Sequence, residues 1–284
     1  MSTFSHPIAT AVVIAIISVL VLRMVPRMVA IHVVMEPYRR GDYEAALRGS
    51  EKFWHRGQVT VHYCFYRGSI LAYLGRLEEA EIWLRRNIAM RDEEPVPGKE
   101  KQRRLLAIGY TCLGELMLQA GRFDEAGECF EKSIRHVPER GSCYLGMAEL
   151  CLMRRDNPAE ALRWAKRGIA CEEVDPITSR EVRAVNLGKG TAILAWATAA
   201  YSRSASDMAS LVTEAINSVG NSSVSSTARV HYHSGCAWAE LGDLQASALQ
   251  YQKAAKLDPQ GEWGRAARAA LRSAGQSGDA EGEA

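Results

Sequence analysis

The stretch Ala107 to Pro138, AIGYTCLGELMLQAGRFDEAGECFEKSIRHVP, decides how the whole chain is read. Its first half carries Tyr110, Leu113, Gly114 and Met117 at helical spacing. Gly121 interrupts the pattern, Ala126, Phe130 and Ser133 resume it, and Pro138 ends it. This is two helices joined by a glycine turn, because Gly tolerates a left-handed backbone and Pro cannot continue a helix. A small residue such as Gly114 lets two helix backbones approach, and a large one such as Phe130 fills the space beside it.

The same unit recurs outward in both directions. Gly41-Asp42-Tyr43-Glu44-Ala45-Ala46, Gly75-Arg76-Leu77-Glu78-Glu79-Ala80 and Gly242-Asp243-Leu244-Gln245-Ala246-Ser247 repeat the turn and the small residue after it. Around the second turn stand Gly68, Leu71, Gly75, Ala80 and Leu84; around the last stand Gly235, Trp238, Gly242, Tyr251, Ala254 and Pro259. Two weaker copies lie between. One has Tyr144, Met147, Ala148 and Cys151, then Asn157-Pro158-Ala159-Glu160, which places Asn at the N-cap and Pro at the first helical position. The other has Ile193, Ala197, Ala200 and Ala209.

From Arg40 to Pro259 the pattern resembles the tetratricopeptide repeat, W-x2-L-G-x2-Y, then A-x3-F, then P. Tyr110 stands at the Trp position and Met117 at the Tyr position. The resemblance implies an all-α solenoid, a right-handed superhelix of five to six helix pairs. The expected organisation is a membrane or juxtamembrane helix over 1–36, the repeat array over 37–259, a capping helix over 260–274 and a disordered acidic tail over 275–284. The first unit is half a repeat, with Pro37 inside its A helix. Lys99 to Leu106 and Ser179 to Asn186 each extend an A helix.

The N-terminus differs in kind. Met1 to Leu22 holds no charged residue except the terminus itself, and Pro7 to Leu22 is almost wholly apolar. Sixteen helical residues span about 24 Å, against a bilayer core of about 30 Å. Extension to Ser5 and snorkelling of Arg23 close the difference. A cleaved signal peptide and a buried core helix are the alternatives. The first lacks a basic n-region and is interrupted by Arg23; the second is unusual for a run apolar on every side. A single transmembrane helix fits best. Arg23, Arg27, Arg39 and Arg40 all follow the run, so the positive-inside rule puts the large domain in the cytoplasm. Seven cysteines without a CxxC pair read as buried thiols and agree with a reducing compartment. An outside-facing domain acting in envelope assembly is the topological alternative.

Lys and Arg total 35 against 33 Asp and Glu, a net charge of +2, which argues against a dedicated nucleic-acid binder. No phosphate-binding loop, H-E-x-x-H or G-x-S-x-G motif is present, and Gly188-Lys189-Gly190-Thr191 lacks the earlier Gly of a Walker loop and reads as a flexible helix start. His231 and His233 point about 200° apart on a helix and cannot share an ion. No catalytic residue, cofactor, metal or small-molecule substrate is therefore expected. Lys99, Lys101, Arg103 and Arg104 read as a solvated face, with an anionic lipid or peptide contact as the alternative.

The family resemblance directs attention to the concave face formed by the A helices. Its register there gives His62, Phe65, Ser69 and Tyr73; Ile108, Thr111, Glu115 and Leu118; Leu145, Glu149 and Leu152; and Arg229, Tyr232, Cys236 and Glu240. The Lys and Asn clamp that similar domains use for a C-terminal carboxylate is missing. The groove is aromatic and mildly acidic and suits an apolar or basic peptide or helix; Phe65 and Tyr73 equally fit packing between repeats. The expected function is a membrane-tethered, non-catalytic adaptor for a protein partner, with an assembly subunit of a larger membrane complex as the alternative. The layout resembles bacterial membrane-anchored tetratricopeptide adaptors of lipopolysaccharide assembly, whose rubredoxin-like module with paired CxxC motifs this chain lacks.

Overall fold

The computed structural model describes residues 31–54, 60–93, 98–174, 180–220 and 222–281, which form helices and turns with no strand among them. The apolar run before Arg23 lies outside the described residues, as does the 282–284 end of the acidic tail. No helix among the described residues is long and apolar enough to cross a membrane.

A π-helical turn, Ile31–Met35, leads into α1, Glu36–Arg39. The paired helices follow: α2 Tyr43–Trp54, α3 Val61–Tyr73 with α4 Leu77–Glu93, α5 Lys99–Gln119 with α6 Phe123–His136, and α7 Gly141–Arg154 with α8 Pro158–Val174. Then come α9 Arg180–Ser202 with α10 Ala205–Val219, α11 Val224–Glu240 with α12 Leu244–Leu257, and α13 Glu262–Glu281. Each pair packs on the next, so the core is a continuous seam between neighbouring helices.

The glycine turns are as the repeat requires. Gly41, Gly75, Gly121 and Gly242 have φ of 81°, 78°, 71° and 79°, the left-handed region where a Cβ is costly. In the two weaker copies Arg155 and Arg203 hold that conformation instead, at φ 56° and 53°. The small-against-large pairing is equally regular. A Cβ on Gly68 would fall 2.8 Å from Leu84, on Gly114 2.6 Å from Phe130, and on Gly235 2.6 Å from Tyr251. Phe130 also meets Gly146 of the following unit, where a Cβ would fall 2.5 Å from its ring, so one phenyl locks two repeats. Ala80, Ala126 and Ala254 are fully buried. Asn157 Oδ1 accepts from the Glu160 backbone N–H at 3.1 Å and caps α8. Tyr110 stacks on His136, and Trp238 packs partly buried against the C-terminal core. Pro138 and Pro259 lie between helices, after α6 and α12.

Among the described residues, the first A helix is a π-helical turn that runs into the four-residue α1, with Pro37 inside it. Two features differ from expectation. The terminal helix runs to Glu281, beyond the expected end of the cap at 274, with no Pro to stop it. Gly188 and Gly190 lie inside α9 and not at a flexible helix start; a Cβ on Gly188 would fall 2.9 Å from Val219, and on Gly190 3.0 Å from Ile169.

The largest departure is that the array closes on itself. Tyr43 Oη donates to Asp258 Oδ1 at 3.1 Å across 215 residues of sequence. Both are buried, at 0% and 1% exposure. Tyr43 stacks on Tyr73 at 5.3 Å, and Tyr38 meets both rings edge-on. Arg265 of α13 donates from Nη1 to the Tyr73 carbonyl at 2.9 Å. The C-terminal cap therefore rests on the first helices, and the concave face becomes the wall of a partly open cavity.

Candidate functional site

That cavity is about 670 Å³. Its wall comes from nearly every inward helix. Tyr38, Phe65, Tyr66 and Tyr73 supply rings from the N-terminal end, and Trp196, Tyr232 and Trp263 supply them from the C-terminal end. Ser69, Cys112, Glu115, Leu118, Glu149, Arg229, Glu262 and Arg265 lie between. Burial pushes the Cys112 thiol up to about 12, so it stays protonated and is a poor nucleophile.

One charged network spans the wall. Arg229 of α11 reaches Glu115 of α5 at 2.9 Å and Glu149 of α7 at 2.7 Å. Its guanidinium sits over the Trp263 ring, 4.8 Å from the centroid. The other Glu149 oxygen meets His233 Nε2 at 3.1 Å. Burial alone would raise the Glu149 carboxyl, but Arg229 and His233 outweigh it and hold it at about 2. His233 is fully buried, and burial pushes its imidazole down toward the neutral form that donates from Nε2.

Glu262 of α13 faces the same space and, among the described residues, has neither an ion pair nor a hydrogen bond. Burial pushes its carboxyl well above the usual range; Arg229 and, less, Arg265 oppose this, while Glu115 and Glu149 add to it. Arg265 is occupied by the Tyr73 and Gln260 carbonyls.

Of the sequence-derived groove residues, Phe65, Ser69, Tyr73, Glu115, Leu118, Glu149, Arg229 and Tyr232 line the cavity. Thr111 does not: it is buried between α5 and α6, with its hydroxyl on the Ala107 carbonyl and Ser133. His62 is exposed and, with Ile108, lies off the cavity wall. Glu240 accepts from Trp196 Nε1 at 3.4 Å at the cavity's margin. The register missed Tyr38, Trp196, Glu262, Trp263 and Arg265, because they reach the site only through ring closure and the cap. The Trp196 position, in the weakest repeat copy, had an inward register as its only signal.

His231 instead faces its own repeat, with Nδ1 at 2.8 Å from Gln250. Arg104 pairs with Glu100 and Arg103 donates to the His136 carbonyl, as a solvated helix face does. All seven cysteines are free thiols. No group of three His, Cys, Asp or Glu among the described residues could hold a metal.

Residues 228–260 match the family model of the tetratricopeptide repeat. The solved structures similar to the chain include BtubC from P. vanneervenii, 15% identical, covering 83% of this chain and 92% of that one with a TM-score of 0.46. YrrB, a tetratricopeptide protein with an unusual peptide-binding site, is 16% identical over 80% and 98%, with a TM-score of 0.33. A Rap protein complexed with Competence and Sporulation Factor is 12% identical over 82% and 66%, with a TM-score of 0.46. A search of curated proteins finds no match. The pair α11 and α12 is thus a tetratricopeptide repeat by sequence, and the chain around it is an all-helical repeat solenoid.

Proposed function

We propose that this protein is a non-catalytic adaptor that holds a segment of a protein partner in its cavity, tethered to a membrane by Met1 to Arg23. The observation that carries the binding reading is the cavity itself: seven aromatic rings and a charged network converge on one space. Pockets of this kind, apolar with a few placed polar groups, are the usual form of a binding site. Its volume also selects the occupant. Two turns of helix, about 11 Å long and about 10 Å across, need on the order of 850 Å³. An extended segment of a few residues fits 670 Å³ better than the helix that the sequence left open.

Ser69→Trp tests this by filling the cavity from a half-buried position. Affinity capture from detergent extract should lose the partner bound by the wild type, with the helical circular dichroism retained. Unchanged partners count against the cavity.

The tether rests on the apolar run and the arginines after it. Tethering raises effective concentration, so modest cavity affinity suffices. Removal of Met1 to Arg23 should release the protein from membranes after a salt wash; continued binding refutes the tether. The cytoplasmic orientation follows from the same arginines. A cysteine introduced next to Pro97 should resist impermeant thiol reagents in intact cells, and rapid labelling reverses the topology.

A further inference from the structure

The charges on the cavity wall are unevenly matched. Arg229 serves two carboxylates, Glu115 and Glu149, at 2.9 and 2.7 Å. Arg265 donates from Nη1 to two backbone carbonyls and pairs with no acid among the described residues. Lys189 of α9, whose ammonium is pushed down to about 8 by burial and by Arg229, does not line the cavity. Glu262 is left as a half-buried carboxyl on an aromatic wall, with no ion pair or hydrogen bond among the described residues. Partial removal of such a group from water costs stability unless something supplies a donor or a charge. Its neighbours do so only in part: Arg229 is shared by Glu115 and Glu149 and covers Trp263, Arg265 makes no ion pair with it among the described residues, and the other acids repel it.

We propose that the cavity takes a cationic side chain, the guanidinium or ammonium of a short extended peptide segment, with Glu262 as its counter-ion. The proposal rests on the cavity being the binding site. The incoming cation completes a charge-assisted hydrogen bond, about twice as strong as a neutral one. The ring faces of Tyr232 and Trp196, close to the same wall, receive the apolar stem and the flanking residues. An anionic side chain would meet three acids, Glu115, Glu149 and Glu262, against two guanidiniums, one shared between two of those acids and one hydrogen-bonded to backbone carbonyls.

The test uses three capped peptides, acetyl-Leu-X-Leu-amide with X as Arg, norleucine or Glu. Each is titrated against the full chain in detergent while tryptophan fluorescence is followed. The Arg peptide should bind about tenfold more tightly than the norleucine peptide, and the Glu peptide most weakly. Glu262→Gln should abolish that preference, leave the norleucine affinity unchanged, and raise the thermal midpoint by removing an uncompensated carboxyl. A retained Arg preference in Glu262→Gln, equal affinities in the wild type, or preference for the Glu peptide overturns the proposal. So does a fall in the midpoint of Glu262→Gln, which would mark a structural role. If the norleucine peptide binds as well as the Arg peptide, the cavity stands as a binding site and only the cation is refuted. Failure of all three to bind also refutes the cation site, and partner capture with Ser69→Trp then decides the cavity separately.

Discussion

Arg229→Met should be among the most damaging single substitutions in this protein. The Arg229 side chain is 13% exposed and that of Glu149 is 6%, whereas Glu115 is 37% exposed. The Glu115 contact is therefore half in water and worth about 0–1 kcal/mol. The Glu149 contact is buried, and removing its partner strands a carboxylate that only a neutral His233 then touches. Breaking a buried pair in this way costs about 3–5 kcal/mol. Most of that is the penalty of the stranded charge, so it should be recoverable. Glu149→Gln keeps a hydrogen bond to His233 and carries no charge. The double variant Arg229→Met/Glu149→Gln should be at least about 2 kcal/mol more stable than Arg229→Met alone. Urea unfolding followed by circular dichroism and tryptophan fluorescence measures both, with the slope checked for constancy. If Arg229→Met costs less than about 1 kcal/mol, or the two changes add without coupling, Arg229 does not tie α11 to α5 and α7 as the geometry states.

Further expectations follow from other contacts. Glu149, held at about 2 against an ordinary 4.5, contributes stability that is complete above pH 4.5 and is lost as the pH falls toward 2; acid titration of the thermal midpoint should show this, and Glu149→Gln should flatten it. Gly146→Ala should cost about 1–3 kcal/mol despite the higher helix propensity of Ala, because its Cβ meets Phe130; a neutral or stabilising result would refute the shared phenyl lock. Tyr43→Phe should cost about 1.5–3 kcal/mol through the orphaned Asp258 carboxyl, and should speed amide exchange in α13; unchanged exchange would mean the ring is open. Arg155→Gly should stabilise by about 1 kcal/mol by relieving a left-handed non-glycine turn, read from the thermal midpoint.

Much of the fold was legible because each repeat solves its packing locally. A helix pair needs a turn, a small residue at the crossing and a large one beside it, and these sit at fixed spacings. Gly68 with Leu84, Gly114 with Phe130 and Gly235 with Tyr251 show that logic in three copies. The weak copies were harder to see for a physical reason. Arg155 and Arg203 adopt the turn conformation that Gly adopts elsewhere, so the backbone is conserved where the letter is not.

The sequence alone therefore determined the helix pairs, their order and the face that points inward, since periodicity and turn residues act over a few tens of residues. Eight groove residues on the cavity wall, Phe65, Ser69, Tyr73, Glu115, Leu118, Glu149, Arg229 and Tyr232, follow from that register. Tertiary structure alone decided that the two ends meet. Small rotations between successive pairs accumulate into a curvature that no single repeat encodes. That curvature brings Tyr43 to Asp258, Arg265 to Tyr73, and Arg229 to two carboxylates more than seventy residues away. It turns an open groove into a cavity and leaves Glu262 facing it with no ion pair or hydrogen bond among the described residues.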